Sequence, residues 1–295
     1  MREPVFTGTC PALITPFTPQ GAVDYDAFGL QIDRQLAGGV DAVCVCGTTG
    51  EGSTMSTREH IAAVAFCVAR VAQRVKVIAG AGSNDTAAAV YLAQHAEDCG
   101  ADALLLVTPY YNKCSQTGLL KHYEYIADRV SLPIILYNVP SRTGVSFAAE
   151  TYRQLSENPK INGVKEASGN FSLLAHARYL CGDDFYIWSG NDDQVVPMMS
   201  LGAKGVISVA SNLVPETMVQ LSHLCLDGDF AAAATLQIAY MDLIDALFVE
   251  VNPIPIKAAM DLLSLRAGAL RLPLCDLSSP HLEQLKSAMA RKGLL

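Results

Sequence analysis

The chain lacks the marks of a nucleic-acid binder, a metalloprotein and an exported protein. No basic run is longer than a dipeptide, and 29 Asp and Glu against 21 Lys and Arg leave a formal net charge of -8. Without clustered cations a polyanion has no footprint, so no nucleic-acid partner is expected. Nine cysteines and six histidines are scattered, with no Cys-x-x-Cys, His-Glu-x-x-His or His-x-His spacing. The cysteine count is odd and several lie in apolar runs such as Val43-Cys44-Val45-Cys46, so reduced, buried thiols are expected rather than disulfides or a metal. No Gly-Lys-Ser/Thr follows a glycine-rich turn, which removes the Walker loop. The start, Met1-Arg2-Glu3-Pro4-Val5, carries no apolar signal core. No apolar stretch approaches the roughly 18 residues that cross a bilayer. A soluble, cytoplasmic protein without a membrane partner is expected.

What is present is a large apolar fraction, 51%, in a chain of 295 residues, ample for a substantial core. Short, continuous, β-branched runs recur at 9–13, 42–46, 75–79, 103–107, 134–137, 161–165, 185–188 and 205–209. Runs that do not alternate suit strands of a parallel sheet buried on both faces. Between them, helical patterns occupy 57–72, opened by Thr57 with His60 three residues on, and 84–99, opened by an Asn84 cap. Others follow at 115–130, 147–155, 170–180 and 192–201. Alternation of this kind fits an α/β, (β/α)8 TIM barrel better than its rival, an open doubly wound sheet. After Val209 the alternation stops, and helices at 215–227, 229–251, 255–265 and 280–292 form a C-terminal extension. The expected division is a catalytic barrel over 1–214 and a helical appendix over 215–295.

In a parallel barrel the reactive groups gather at the carboxyl ends of the strands. The second strand exits into Gly47-Thr48-Thr49-Gly50-Glu51-Gly52, either an ordinary turn or a cradle of N–H and hydroxyl donors for a small carboxylate. The fourth exits into Thr108-Pro109-Tyr110-Tyr111-Asn112, with two phenols able to relay protons or simply to pack. The fifth exits into Tyr137-Asn138-Val139-Pro140-Ser141-Arg142, where the arginine is a carboxylate clamp or a surface residue. The sixth ends in Val164-Lys165-Glu166. A lysine there is either a structural partner of Glu166 or an amine taken out of water, which sheds its proton more readily and attacks carbonyls. The seventh and eighth exits, Ser189-Gly190-Asn191-Asp192 and Gly205-Val206-Ile207-Ser208-Val209, offer small residues that let a backbone approach a ligand. Amine, phenols, hydroxyls and arginine together suit a class I aldolase-type reaction of a 2-oxo acid, with no metal or organic cofactor.

These motifs, with Val164-Lys165-Glu166-Ala167-Ser168-Gly169 and Asn252-Pro253-Ile254-Pro255, closely resemble dihydrodipicolinate synthases, in the family shared with N-acetylneuraminate lyases. The resemblance runs from about Gly8 to Leu295. It implies condensation of pyruvate with L-aspartate-4-semialdehyde on the route to diaminopimelate and lysine. By matching motifs, Lys165 would form the imine and Tyr137 would move protons, linked through Thr48 to a Tyr111 that reaches into a neighbouring subunit. Thr49, Gly190 and the Ile207 carbonyl would meet the pyruvate-derived part, and Arg142 the semialdehyde carboxylate. The implied assembly is a homotetramer, a dimer of dimers. N-acetylneuraminate lyases resemble the chain less, because they carry Ser-Thr at the Thr48-Thr49 position and lack an arginine at Arg142. A non-catalytic paralogue would be expected to lose the lysine or the relay.

Two departures stand out. The inhibitory lysine pocket of such enzymes would be lined here by Ser53, Thr57, His60, Asn84, Ala88 and Tyr110. Lysine-sensitive relatives resembling this chain carry His at the Thr57 position and Glu at the Ala88 position. Alanine supplies no carboxylate for the inhibitor's ammonium group, so weak or absent inhibition is expected. Asn191 stands where relatives often have Asp, with no functional account.

Overall fold

Continuous apolar runs make eight short parallel strands: β1 (Gly8–Pro11), β2 (Ala42–Val45), β3 (Lys76–Gly80), β4 (Ala103–Val107), β5 (Ile134–Asn138), β6 (Ile161–Glu166), β7 (Tyr186–Ser189) and β8 (Gly205–Ser208). They are seen in a computed structural model that describes residues 2–295. The order is β1-β8-β7-β6-β5-β4-β3-β2. The two ends of this sheet meet through a parallel bridge, Ala12 to Cys44, with Leu13 N–H donating to the Cys44 carbonyl at 2.9 Å. The sheet is therefore a barrel and not an open, doubly wound one.

Side chains alternate between two cores, which is why the strands carry no polar face. Cys10, Cys44, Ile78, Leu105, Ile135, Trp188 and Ile207 fill the inside. Val43, Val45, Leu104, Leu106, Leu136, Val164 and Ile187 pack outward under the helices. The amino-terminal end is plugged by Phe6 stacked on Trp188 at 5.3 Å, whose indole N–H donates to the Phe6 carbonyl at 3.1 Å.

The helices are α1 (Tyr25–Ala37), α2 (Thr57–Val71), α3 (Thr86–Asp98), α4 (Gln116–Ala127), the one-turn α5 (Pro140–Thr143), α6 (Ala149–Ser156), α7 (Phe171–Cys181), α8 (Val195–Ser200), α9 (Pro215–Leu226), α10 (Phe230–Leu247), α11 (Ile254–Leu262) and α12 (Ser279–Arg291). α1 has no counterpart in the sequence reading. Its buried face carries Gly29, Gln31 and Gln35 among Phe28 and Ile32, which blurs the apolar period. α2 starts one residue earlier in its capping than Thr57 and His60 suggested, because Ser56 and Glu59 form a reciprocal capping box. α3 is capped by Asp85 rather than Asn84. The segment at 192–201 begins as a 3₁₀ turn, Asp192–Gln194, before α8.

α9 lies across β1, where Thr9 Oγ1 donates to the Met218 carbonyl at 2.8 Å and meets Ser222 Oγ at 2.8 Å. α10 corrects one expectation: its 18 residues are long and apolar enough, by length and composition alone, to cross a membrane. Asp242 and Asp245 interrupt its apolar run only near the end. Asp242 pairs with Arg291 at 2.6 Å and Lys292 at 2.7 Å, tying α10 to the end of α12. From α10 the chain returns to the carboxyl end of the barrel through Asn252.

Candidate active site

The site grows from the last residues of β5 and β6. Tyr137 and Lys165 are direct partners across these strands, as are Asn138 and Glu166. Period-two alternation turns Tyr137 and Lys165 inward and Asn138 and Glu166 outward. Lys165 is 6% exposed, and its Nζ lies 4.4 Å from the Tyr137 ring centroid. The structural alternative, an ion pair with Glu166, does not form. That carboxylate faces away and accepts from the Tyr152 hydroxyl at 2.7 Å, Asn138 Nδ2 at 3.0 Å and Ser168 N–H at 2.8 Å.

A cavity of about 420 Å³ opens at this end and is lined by Thr48, Tyr137, Arg142, Leu105 and Val139 from the barrel mouth. Three of the expected groups therefore share one space. The adjacent threonines diverge: Thr48 is exposed to the cavity, whereas Thr49 is buried and its Oγ1 accepts from Asn252 Nδ2 at 2.9 Å. Gly190 passes so close to the lysine that a Cβ there would sit 3.1 Å from Lys165 Cε and 2.7 Å from Ala167 Cβ. Ile207 lies in the inner core beneath the mouth. Tyr111 stands apart: it is 90% exposed, with a left-handed φ of 69°, and does not line the cavity.

The chain matches the Dihydrodipicolinate synthetase family over residues 5–292. The chain belongs to this family. It is 47% identical over 295 residues, all of both chains, to a 4-hydroxy-tetrahydrodipicolinate synthase of Acetivibrio thermocellus. Its fold is similar, at a TM-score of 0.96 and 40% identity, to a dihydrodipicolinate synthase of Cyanidioschyzon merolae with lysine bound, covering 99% of this chain and 100% of that one. It is equally similar, at 0.96 and 39% identity, to a monomeric dihydrodipicolinate synthase variant, covering 99% and 98%.

Within this member of the dihydrodipicolinate synthetase family, several residues that surround the site escaped sequence reasoning. Asn252 comes from the appendix, and besides holding Thr49 its carbonyl accepts a long bond, 3.4 Å, from Arg142 Nη2. Asp192 is buried, accepts from Val209 N–H at 3.0 Å and Ala210 N–H at 2.8 Å, and so pins the exit of β8. Burial pushes its carboxyl up from the ordinary range, opposed by these bonds and the Lys165 charge. Glu51, at the end of the Gly47–Gly52 loop, is buried against Lys257 at 2.6 Å and accepts from Arg271 N–H at 3.0 Å. The Thr49–Asn252 and Glu51–Lys257 pairs span 203 and 206 residues of chain, and the local hint was the Asn252-Pro253-Ile254-Pro255 motif.

Of the six residues of the expected lysine pocket, Ser53, His60 and Tyr110 line the same cavity as Tyr137, whereas Lys165 is not on its wall. Thr57, Asn84 and Ala88 are not on its wall, although all three remain accessible. His60 is buried, its Nε2 bonds the Gly80 carbonyl at 2.7 Å, and burial pushes its imidazole down, so it is a neutral donor there.

Proposed function

We propose that the chain condenses pyruvate with L-aspartate-4-semialdehyde to give 4-hydroxy-tetrahydrodipicolinate, the step that opens diaminopimelate and lysine synthesis, through an imine on Lys165. The observation that carries this reading is the buried Lys165–Tyr137 strand pair, whose tyrosine lines a cavity together with Thr48 and Arg142. An amine in that position attacks C2 of pyruvate and releases water. The cationic imine then acidifies the C3 methyl, whose loss of a proton gives an enamine. C3 of the enamine attacks the aldehyde carbon, forming the new C–C bond and a hydroxyl. The amine of the former semialdehyde finally displaces Lys165 from C2, closing the ring and freeing the enzyme.

Tyr137, beside Lys165, moves protons in these steps, relayed through Thr48 to Tyr111. Thr49, Gly190 and the Ile207 carbonyl meet the pyruvate-derived part, and Arg142 clamps the semialdehyde carboxylate. The exposure of Tyr111 supports a role in which it completes the site of a second subunit, and the assembly proposed is a homotetramer, a dimer of dimers. Residues 1–214 carry the chemistry, and the appendix at 215–295 holds the mouth through Asn252. The reaction runs in the cytoplasm, where thiols inside the barrel such as Cys10 and Cys44 stay reduced.

With pyruvate held constant, L-aspartate-4-semialdehyde is expected to turn over and N-acetylmannosamine is not. Arg142→Ala should raise the KM of the semialdehyde by about tenfold or more while leaving that of pyruvate within about threefold. Turnover of the sugar instead would keep the imine chemistry and overturn the role of Arg142.

A further inference from the structure

The buried carboxylate of Glu166 has no part in the steps above, yet it sits directly behind them. Tyr137 and Lys165 face each other inside the barrel, and one residue further along, Asn138 and Glu166 face each other outside it. The outer pair is joined by side chains: Asn138 Nδ2 donates to both oxygens of Glu166, at 3.0 and 3.1 Å. Tyr152, wholly buried on α6, donates its hydroxyl to Oε2 at 2.7 Å. Burial and the neighbouring carboxylate push the Tyr152 phenol well up, so it keeps its proton and acts as the donor. Ser168 N–H donates to Oε1 at 2.8 Å and shapes the turn that leaves β6. The Glu166 carbonyl accepts from Gly190 N–H at 2.8 Å, the glycine that lies against Lys165.

All the donors to this carboxylate are neutral. Burying a charge without a counter-charge costs several kcal/mol, and an apolar side chain would fill the layer between β6 and α6 more cheaply. What the carboxylate supplies that an apolar group cannot is a rigid crosslink between the ends of two strands and a helix. A small error in the placement of reacting groups is expensive in rate, with about 1 Å costing on the order of a hundredfold.

We infer that Glu166 is a positioning residue: through Asn138, Tyr152 and Ser168 it locks the strand ends that present Tyr137 and Lys165 to the substrate. This inference rests on the reading of Lys165 as the imine-forming residue. Gln at 166 retains an acceptor for Asn138 and Ser168, and Tyr152 can turn its hydroxyl to accept from the new amide, so the crosslink survives without the charge. Leu at 166 removes the crosslink.

The test compares the parent enzyme with Glu166→Leu, Glu166→Gln and Tyr152→Phe, measuring kcat, both KM values and the rate at which borohydride traps pyruvate on Lys165. Glu166→Leu is expected to lose about 10- to 100-fold in kcat and in trapping rate, with both KM values within about threefold. Glu166→Gln should return to within about threefold of the parent. Folded Glu166→Leu with parental kcat overturns the inference, and so does Glu166→Gln as impaired as Glu166→Leu, which would make charge the active property. If Glu166→Leu does not fold, Tyr152→Phe decides: a loss of about two- to fivefold in kcat at unchanged KM supports the crosslink, and no loss overturns it. Absence of a pyruvate adduct on Lys165 in the parent would instead overturn the imine reading itself.

Discussion

Among the described residues two lysines are buried, and their surroundings are opposite. Lys257, on α11, is 2% exposed and its Nζ donates to Glu51 Oε1 at 2.6 Å and to the Ala269 carbonyl at 2.7 Å. The ring of Phe17 lies 4.7 Å from the same nitrogen. Burial pushes its ammonium down while Glu51 pulls it up, so the charge is kept only because a carboxylate was buried with it. Lys165, at the end of β6, has no such partner, because period-two alternation sends Glu166 to the other side of the sheet. It meets the Tyr137 ring instead. A buried lysine paired with a carboxylate is a fastener; one without such a partner is free to reach a carbonyl.

That contrast is broken most severely at Lys165. Lys165→Ala should reduce kcat by roughly 10⁴-fold, about 5.5 kcal/mol of transition-state stabilisation, while the melting temperature changes little. Turnover within about tenfold of the parent would mean that this lysine is structural after all. Lys257→Met should do the reverse. It strands Glu51 without a counter-charge, which costs about 3–5 kcal/mol and lowers the melting temperature by roughly 10 °C. Well below the transition, kcat should fall by less than about tenfold, reflecting only slack in the loop that carries Thr48. Adding Glu51→Gln to Lys257→Met should bring the deficit to within about 2 kcal/mol of the parent, since no charge is then left unpaired. A double variant as unstable as the single one would show that packing, not the charge pair, is what Lys257 supplies.

The same contrast marks what a single sequence reveals. Strands were legible because two buried faces leave continuous apolar runs, and the exits of those strands supplied the candidate site residues. Lys165 stood out this way as a lysine ending a buried strand and Lys257 did not, because its partner Glu51 lies 206 residues away. Direction was legible only where a strand imposes it. Neighbours in loops diverge without warning: Thr48 faces the cavity while Thr49 is buried under Asn252, and Tyr110 lines the cavity while Tyr111 is exposed. Helix starts slipped by a residue where two candidate caps adjoin, as at Asn84 and Asp85. α1 was missed because glutamines occupy its buried face; Gln35 Nε2, for instance, donates to the Ser211 carbonyl at 2.9 Å.

Free L-lysine offers a third ammonium on which the rule can be sharpened. By the family resemblance, an inhibitory lysine would sit at a dimer interface with its ammonium near Ser53, His60 and Tyr110, which line the cavity here. Lys257 indicates what such burial requires: a carboxylate within hydrogen-bonding distance. His60 is neutral there, and position 88 of α3 carries only a methyl group, so the pocket supplies hydroxyls and an imidazole but no anion. Millimolar L-lysine is therefore expected to leave the rate nearly unchanged, and submillimolar inhibition would break the rule. Ala88→Glu adds the missing charge on an accessible turn of α3 and should confer inhibition, tightening lysine binding by about tenfold, the roughly 1–2 kcal/mol of a partly buried charge-assisted bond. Ala88→Gln has nearly the same shape without the charge. If it sensitises the enzyme equally, shape rather than the carboxylate governs the pocket, and the lesson of Lys257 does not extend to a diffusible ligand.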